Sequence, residues 1–462
     1  MPTESPITGK DLIALGYTPG RWFAPALAHA NDAGLRGAKL RAYLESARPR
    51  TLAAHAPGSL PLHVNLHAEN PEEQANVTAV RETMETLLCT PTLTAGAVMP
   101  DACPAGGPGT IPVGGVAVAR DALHPGLHSA DVCCSVMATS LGAVDPRRVL
   151  DAAQSVTHFG GGGREDPFAL PAGLEERLRA NQFLNNDKSR TLARTHLGTQ
   201  GDGNHFLFVG QSERTGETFV VTHHGSRGLG AYLYTQGMRV AETFRQERGA
   251  EVLPANAWIP YSEPLGRSYW EALQVVRDWT KANHTVLHDA IARGLRREVT
   301  DRFWNEHNFV FREGDLFYHA KGATPLTAQF VPDSACGRRL VPLNMAEPIL
   351  VVRGERTATN LGFAPHGAGR NRSRTAHLRR MGGRPAAKVL ASETAGLDVR
   401  FFSGHVDLSE LPSAYKDAAA VQRQMEGYGL GTVVDRILPY GCIMAGDWKR
   451  DAPWRKRRRR KD

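Results

Sequence analysis

The stretch from Gly201 to Gly230 constrains the fold more than any other part of the chain. Two short apolar runs, FLFVG and TFVVTH, each carry a histidine at one end, and glycines beside them let a backbone approach a ligand closely. His205 ends the segment GDGNH, and His223 precedes the turn GSRG, which holds Ser226 and Arg227. We predict a metal site next to a phosphate site. The alternative is two hydrogen-bonded histidines at strand ends.

Length and composition describe an ordinary globular protein. The chain has 462 residues, of which 41% are hydrophobic and 22% charged, so we expect several subdomains or one large intertwined domain. No apolar run approaches the length of a membrane span, and the N-terminus lacks the pattern of a signal peptide. Six cysteines in a chain of this length do not resemble a disulfide framework. We therefore expect a cytoplasmic protein without a membrane partner.

The positive charge of the chain is concentrated at its C-terminus. The net charge is +8, and the last eight residues, RKRRRRKD, contribute +6 of it, which leaves +2 for the rest. We predict a basic tail over residues 448–462 that binds a polyanion or only solvates the chain end.

Changes in sequence texture divide the remainder. Residues 1–95 are predicted to be a helical N-terminal region, with an amphipathic helix that begins at Pro71. From residue 96 to 447 the chain is glycine-rich with short apolar runs, interrupted by a helical insertion at 141–195.

Further side chains have the chemistry of metal ligands. Asp131 and Cys134 stand three positions apart in ADVCC, and a thiolate can bridge two divalent ions, although a buried free cysteine is usually a small hydrophobe. His307 lies at the start of a strand-like run. His284 and His288 are one turn apart on a long amphipathic helix; without the glutamate of a metalloprotease motif we interpret them as structural.

The segment APHGAGRNRSRTAHLRR combines one histidine with glycines and arginines. Arginine binds phosphate in a bidentate manner and histidine can act as a nucleophile, so His366, Arg370 and Arg374 indicate a phosphate-handling site. The alternative is a solvated basic helix start. Lys321 lies in a glycine turn, and Tyr415 offers an aromatic platform for a base.

Seven segments in order, ADVCC, GDGNHF, HHGSRGLG, EHNFV, KGAT, PHGAGRNRSRTA and AYKD, resemble the RtcB-type RNA ligase family, the 3′-phosphate RNA splicing ligases. The resemblance runs from about Met99 to Gly446. It implies an α/β (α+β) fold, in which a single large domain has mixed sheets around a dinuclear metal cleft and a helical N-terminal extension. It also implies two Mn²⁺ ions and GTP, with ATP left open.

The reaction implied by the resemblance attaches GMP to a histidine, passes it to an RNA 3′-phosphate and displaces it with a 5′-hydroxyl. The partner would be RNA with a 3′-phosphate or cyclic phosphate and 5′-hydroxyl ends; an accessory activator protein is left open. Matched by position, the nucleophile is His366, and the metal ligands are Asp131, Cys134, His205, His223 and His307. The matched nucleotide-binding residues are Asn204, Asn344, Arg370 and Tyr415, and the phosphate or RNA contacts are Ser226, Arg227, Lys321 and Arg374.

The chain also departs from the family pattern. Phe208 replaces a glutamate that helps to read guanine, and Ala445 replaces a lysine before the last glycine of the motif. Cys103 stands where the MPDxH segment has histidine, and Ala320 replaces an arginine. Loss of a polar side chain that contacts the base relaxes nucleotide specificity. The alternatives are therefore a nucleotidyltransferase or phosphohydrolase with changed nucleotide specificity, or a non-catalytic RNA-binding protein.

Overall fold

The computed structural model describes residues 5–107, 109–249, 251–334 and 336–447, so the predicted basic tail at 448–462 lies outside the described residues. Its helices are α1 (Gly9–Ala14), α2 (Phe23–Asp32), α3 (Gly37–Ala47), α4 (Pro71–Leu87), α5 (Pro146–Val156), α6 (Leu174–Ala180), α7 (Asp187–Thr195), α8 (Arg227–Arg248), α9 (Pro264–Leu295), α10 (Arg374–Met381), α11 (Ala386–Glu393) and α12 (Ala418–Gly427).

The strands of the described residues are β1 (Leu62–Val64), β2 (Leu93–Cys103), β3 (Val113–Arg120), β4 (Ala122–Leu123), β5 (Ser135–Ser140), β6 (Phe206–Ser212), β7 (Thr218–His224), β8 (Ile259–Pro260), β9 (Asp301–Glu306), β10 (Asn308–Glu313), β11 (Leu316–Lys321), β12 (Ala323–Pro325), β13 (Arg339–Pro342), β14 (Ile349–Arg353), β15 (Phe363–Pro365), β16 (Asp398–Phe401) and β17 (Thr432–Met444).

Two large sheets organise these strands. One has the order β13-β14-β17-β6-β7-β5-β9, with β16 paired to β17, and the other has the order β1-β2-β3-β11-β10. Most neighbours are antiparallel, whereas β1 pairs with β2 and β16 with β17 in parallel. The expected mixed-sheet α/β architecture is confirmed.

Residues 207–210 of β6 and 441–444 of β17 are buried, and both sequences lack charged residues there, because each face of the sheet is covered at this point. Successive side chains of a strand point to opposite faces. Phe208 and its pairing partner Cys442 on β17 therefore lie on one face of the sheet. Leu207 and its pairing partner Ile443 lie on the other face. Helix α5 packs against the second face, so the first is left for the functional cleft.

The long helix α9 supports the larger sheet from behind. It begins with Pro264 at its first turn, where the missing N–H costs nothing, and ends at Arg296, which has a left-handed φ of 54°. Leu273, Val276 and Trp279 recur at helical spacing and are fully buried. The amphipathic pattern of the sequence is thus matched by a real core face.

The N-terminal helices form a small unit with its own core. The sequence 8–48 suggests a helical hairpin, but the chain forms three helices, since Gly34, with a φ of 59°, ends α2 and starts a turn to α3. Leu12, Phe23 and Leu44 pack together there. Among the described residues, every helix is too short or too polar to cross a membrane.

Candidate active site

One cleft with a volume of ≈ 380 Å³ collects most of the predicted site residues. The predicted residues on its walls are Asp131, Cys134, Asn204, His223, His307, Lys321, Asn344, His366, Arg370, Arg374 and Tyr415. His205 lies directly behind this wall, and its Nε2 atom is 3.5 Å from Sγ of Cys134. The fold therefore brings together residues from eight separate segments of the sequence.

The predicted metal ligands form two overlapping groups that share Cys134. Asp131, Cys134 and His205 make one group, and Cys134, His223 and His307 make the other, with the ligand atoms of each group within 4.8 Å of one another. Sγ of Cys134 is 3.2 Å from Nε2 of His223, and Oδ2 of Asp131 is 3.0 Å from Nε2 of His205. A sulfur shared by two groups suits two cations bridged by one thiolate.

The predicted ligands lie at the same end of four adjacent strands of the larger sheet. Cys134 directly precedes β5, His205 directly precedes β6, His223 lies near the end of β7, and His307 connects β9 to β10. In the sheet these strands stand in the order β6-β7-β5-β9. The backbone N–H of His307 donates to the carbonyl of Cys134 at 2.9 Å, which fixes the two connections together.

The histidine rings are arranged to receive cations. Nδ1 of His205 lies 2.7 Å from the carbonyl of Gln200, and Nδ1 of His223 lies 3.2 Å from the carbonyl of Asn204. A proton on each Nδ1 satisfies these carbonyls and leaves a lone pair on Nε2. Yet Nε2 of His223 is only 3.2 Å from Nε2 of His307. Two facing lone pairs repel unless a cation or proton lies between them, so the residues present fit a metal centre.

Burial lowers the pKa of the His223 and His307 imidazoles, which keeps these two rings neutral at ordinary pH. It lowers the pKa of His223 to about 3, with His205 and His366 adding to the effect. Burial also raises the pKa of the Cys134 thiol well above its usual value, and the nearby Asp131 carboxylate adds to that rise. The thiol would therefore lose its proton only when cations bind. Cysteine with histidines also suits zinc, so the donor set alone does not select manganese.

A buried network of hydroxyl and imidazole groups lies behind the ligand-bearing strands. Oγ1 of Thr222 is 2.6 Å from Nδ1 of His284 and 2.7 Å from Nε2 of His288. Nε2 of His284 is in turn 3.0 Å from Oγ of Ser135. Thr222 and Ser135 are the immediate neighbours of two metal-ligand positions, so the network holds β7 and β5 in register. His284 and His288 are structural in this arrangement.

His366, the predicted nucleophile, stands beside the ligand cluster, with its ring centroid 4.9 Å from that of His307. Its Nδ1 is 2.6 Å from Oδ2 of Asp101, which also accepts the backbone N–H of His366 at 3.0 Å. Asp101 is fully buried in β2. Asp101 belongs to the segment MPDAC, and its separation of 265 residues from His366 hides the contact in the sequence.

At two positions of the sequence motifs, neighbouring atoms lie so close to the backbone that only glycine fits. A Cβ on Gly225 would lie 2.0 Å from Oδ1 of Asp131, a predicted metal ligand. A Cβ on Gly369, whose φ is 70°, would lie 1.9 Å from the carbonyl oxygen of Asp101. These two positions of HHGSRG and HGAG therefore exclude any side chain.

Glu410 is a second functional candidate that the sequence did not reveal. Its side chain is almost fully buried, and its carboxylate accepts from Nη2 of Arg370 at 2.7 Å, Nε of Arg374 at 2.7 Å and the hydroxyl of Tyr415 at 2.5 Å. The guanidinium of Arg370 also lies 4.4 Å from the ring centroid of Tyr415. Burial, together with Glu410, raises the pKa of Tyr415, which stays a hydrogen-bond donor. One carboxylate thus orients two predicted nucleotide-binding residues, Arg370 and Tyr415, and one predicted phosphate or RNA contact, Arg374.

Another part of the cleft lining is apolar. It consists of Phe206, Phe208, Met345, Ile349, Cys442 and Met444. Phe208 is 2% exposed and offers no hydrogen-bonding group, as its position in the sequence suggested. Ala445 behaves differently, since it lies in the cluster on the α5 side of the sheet and does not line the cleft. Of the two departures near the predicted base site, only Phe208 faces that site.

Three further predicted residues have other partners. Ser226 is fully buried and its hydroxyl donates to the carbonyl of Val132, so it does not line the cleft. Arg227 also lies off the cleft lining, and its guanidinium donates to the carbonyl of Gly160 at 2.9 Å. Lys321 does line the cleft, where its Nζ donates to the carbonyl of Ile111 at 3.0 Å.

Comparison with known proteins matches residues 171–445 to the family model described as tRNA-splicing ligase RtcB. The tRNA-splicing ligase RtcB of Methanocaldococcus jannaschii is 27% identical over 296 residues, which are 56% of this chain and 30% of that protein. The tRNA-splicing ligase RtcB of Aeropyrum pernix is 27% identical over 53% of this chain and 58% of its own length.

The RNA-splicing ligase RtcB of Mycobacterium tuberculosis is 30% identical over 54% of this chain and 64% of its own length. In each of these comparisons the chain covers less than two thirds of the relative.

Proposed function

The chain belongs to the RtcB family, and from that premise we propose that it joins an RNA 3′-phosphate or 2′,3′-cyclic phosphate to a 5′-hydroxyl, in RNA splicing or repair, with GTP and two Mn²⁺ ions. The names of its relatives as splicing ligases support an RNA substrate. One observation carries the proposal: His366, with Nδ1 engaged by Asp101, stands beside a ligand set centred on Cys134. A purely structural metal site has no need of such a histidine.

His366 acts as the nucleophile in this proposal. Because Asp101 accepts the Nδ1 proton, Nε2 keeps its lone pair for attack. A bond forms from Nε2 to the α-phosphorus of GTP, and the bond from that phosphorus to the bridging oxygen of pyrophosphate breaks. Pyrophosphate leaves with the electron pair, and GMP remains on the histidine.

Two transfers complete the reaction. An oxygen of the RNA 3′-phosphate bonds to the phosphorus of the bound GMP, and the N–P bond returns its electrons to His366. The 5′-hydroxyl oxygen then attacks the RNA phosphorus, GMP leaves, and the hydroxyl proton passes to solvent. A cyclic phosphate is first opened by water. Bound divalent cations would offset charge on the phosphate oxygens.

The other side chains of the cleft bind and orient the reactants. Arg370 and Arg374, preorganised by Glu410, hold phosphate groups, and Lys321 adds a further cation to the cleft lining. Asn204 and Asn344 supply polar contacts to the nucleotide.

A second candidate function is nucleotidyl transfer or phosphate hydrolysis with a changed nucleotide preference. The apolar wall around Phe208 favours it, because a guanine base lying there would meet no acceptor for its N–H groups. ATP is then used as readily as GTP.

We also propose that the protein works in the cytoplasm. All six cysteines are free, and a centre built on Cys134 needs a reduced thiol. An accessory activator protein remains part of this proposal as a partner still to be sought.

Covalent labelling tests the proposal. The protein is incubated with Mn²⁺ and α-³²P-labelled GTP or ATP, alongside His366→Ala, and separated on a denaturing gel. We expect a label that is absent from His366→Ala and is released by acid, as a phosphoramidate is. No label with either nucleotide, despite bound metal, would contradict nucleotidyl transfer.

A further inference from the structure

A run of cationic side chains leads away from the cleft along α10 and the turn that follows it. Between His366 and Glu393 the sequence contains seven lysines and arginines and no aspartate or glutamate. They are Arg370, Arg372, Arg374, Arg379, Arg380, Arg384 and Lys388. The first and third of them already lie in the cleft, held by Glu410.

Nearby carboxylates compensate only part of this charge. Arg372 donates to Glu72, and Nη1 of Arg380 lies 4.0 Å from the same carboxylate. Glu393 is occupied by the backbone N–H of Ser413 at 2.9 Å. With Glu410 and Asp407, four carboxylates stand against seven cations in this region, so positive charge remains in excess.

The uncompensated charge lies at the far end of the run. Arg379, Arg384 and Lys388 are exposed, and their side chains make no ion pair or hydrogen bond within the part of the chain that the structure describes. We call these three residues the outer cationic track. Long exposed side chains without partners are free to follow a flexible polyanion.

Helix α10 joins the cleft to the outer cationic track along the chain. Arg374 is the first residue of α10 and lines the cleft, and a rise of 1.5 Å per residue carries the helix about 8 Å from there to Arg379. Gly382 and Gly383, with φ values of 57° and 74°, then turn the chain toward Arg384. The three exposed cations therefore follow the cleft residue Arg374 at short separation along the chain.

We propose that the outer cationic track binds the phosphodiester backbone of the RNA strand whose 3′-phosphate reaches His366. This inference rests on the proposed function for the identity of the bound end. Proteins that hold single strands use positively charged surfaces that follow the backbone, and their binding weakens steeply with salt. The track would not read sequence, because phosphate contacts position a strand without specifying it.

Salt dependence of RNA affinity tests this proposal. The dissociation constant of a fluorescent 15-nucleotide RNA with a 3′-phosphate is measured by anisotropy from low to high salt, for the wild type and for the triple variant Arg379→Gln, Arg384→Gln, Lys388→Gln. Because each contact to a single strand contributes about 0.7 to the logarithmic salt slope, we expect the slope to fall by roughly 2 and affinity to fall up to roughly 100-fold at 0.1 M salt.

A matched control separates the track from net charge. Arg147→Gln, Arg148→Gln, Arg297→Gln also removes three exposed positive charges. Two of them lie at the start of α5, on the opposite face of β6 and β17 from the cleft, and the third follows α9, which packs against α5. We expect the control to retain most of the wild-type slope, and a three-nucleotide RNA with a 3′-phosphate to bind the triple variant as well as the wild type. Unfolding midpoints establish that each variant is folded.

Equal salt slopes of RNA affinity for the triple variant and the control, or no RNA binding by the wild type, would contradict the proposed role of the outer cationic track. Polyglutamate of the same charge that competes with RNA equally well would also contradict it and would indicate an acidic protein partner. Labelling of His366 is measured separately on the wild type. A reduced salt slope in the triple variant, without labelling of His366 in the wild type, would contradict the ligase proposal and support RNA binding by the outer cationic track. Labelling of His366 with an unchanged slope would support the ligase proposal and contradict RNA binding by the track.

Discussion

Nδ1 of His366 lies 2.6 Å from Oδ2 of Asp101, and the same oxygen accepts the backbone N–H groups of His366 and Gly367 at 3.0 and 3.3 Å. The carboxylate thereby fixes both the ring and the loop that carries it. Lys416 holds the strand on either side of Asp101, since its Nζ donates to the carbonyls of Pro100 and Ala102. The orientation of His366, the proposed nucleophile, is thus built into β2.

Asp101→Asn should slow nucleotide labelling of His366. An amide can present its N–H₂ group to Nδ1 and favour the wrong tautomer, which places the proton on Nε2 and removes the attacking lone pair. We expect the single-turnover labelling rate to fall by roughly 10²-fold to 10⁴-fold, as for the corresponding change in a catalytic triad. Metal content, measured by mass spectrometry, should stay at the wild-type level. A rate within threefold of wild type would refute the orienting role.

Cys134→Ala should abolish binding of both cations, because both ligand groups include this sulfur. The adjacent Cys133 provides a matched control. It is fully buried in the hydrophobic core and belongs to neither ligand group, so Cys133→Ala removes the same atom without touching the centre. We expect metal content near zero for Cys134→Ala and near wild type for Cys133→Ala. Equal metal content in the two variants would contradict a shared thiolate ligand.

The sequence predicted five metal ligands that lie together in the structure, but it did not predict the groups that orient the site residues. Histidine, aspartate and cysteine in glycine-flanked segments carry recognisable chemistry, and the fold places all five predicted ligands together. Asp101 and Glu410 left no comparable signal, because each acts on residues that only tertiary structure brings near. Ser226 and Arg227 share the glycine motif, yet their side chains bond to neighbouring backbone and side-chain groups away from the cleft.

The sequence also did not predict which face of the sheet borders the cleft. Alternation along β17 implies that residue 445 points away from the side chain of Met444, but sequence alone does not say which face meets the cleft. A register shift between Pro439 and Gly441 further obscures the count from the start of the strand. The mixed-sheet architecture could be anticipated from the resemblance, whereas the separation of Phe208 from Ala445 onto opposite faces required the sheet itself.

Phe208→Glu should raise the preference for GTP over ATP. The added carboxylate would face the cleft and could accept the N1 and N2 protons of guanine, a bidentate contact of roughly 1–3 kcal/mol, or about 5-fold to 150-fold. The ratio of labelling efficiencies with GTP and ATP measures the change. Phe208→Leu keeps the wall apolar and should retain the wild-type ratio. If Phe208→Glu binds metal and labels with an unchanged ratio, this position does not read the base.

Thr222→Val should loosen the metal centre from behind. The substitution keeps the shape of the side chain but removes the hydroxyl shared by His284 and His288, which leaves two buried ring nitrogens without their partner. Each such group costs roughly 1–3 kcal/mol of stability. Because His223 is the next residue, we also expect metal affinity to fall by roughly 10-fold to 100-fold, as when groups behind a ligand are removed.

Thr218→Val is the control for this network, since it lies on the same strand and loses one buried hydrogen bond to the carbonyl of Val144, away from the ligands. Unfolding midpoints and metal dissociation constants are measured for both variants. Loss of stability is expected in both, but weaker metal binding only in Thr222→Val. If the network positions His223, its loss should move β7 and carry His223 away from Cys134, which weakens metal binding. Equal metal affinity in Thr222→Val and Thr218→Val would therefore mean that the network stabilises the sheet without positioning the ligand.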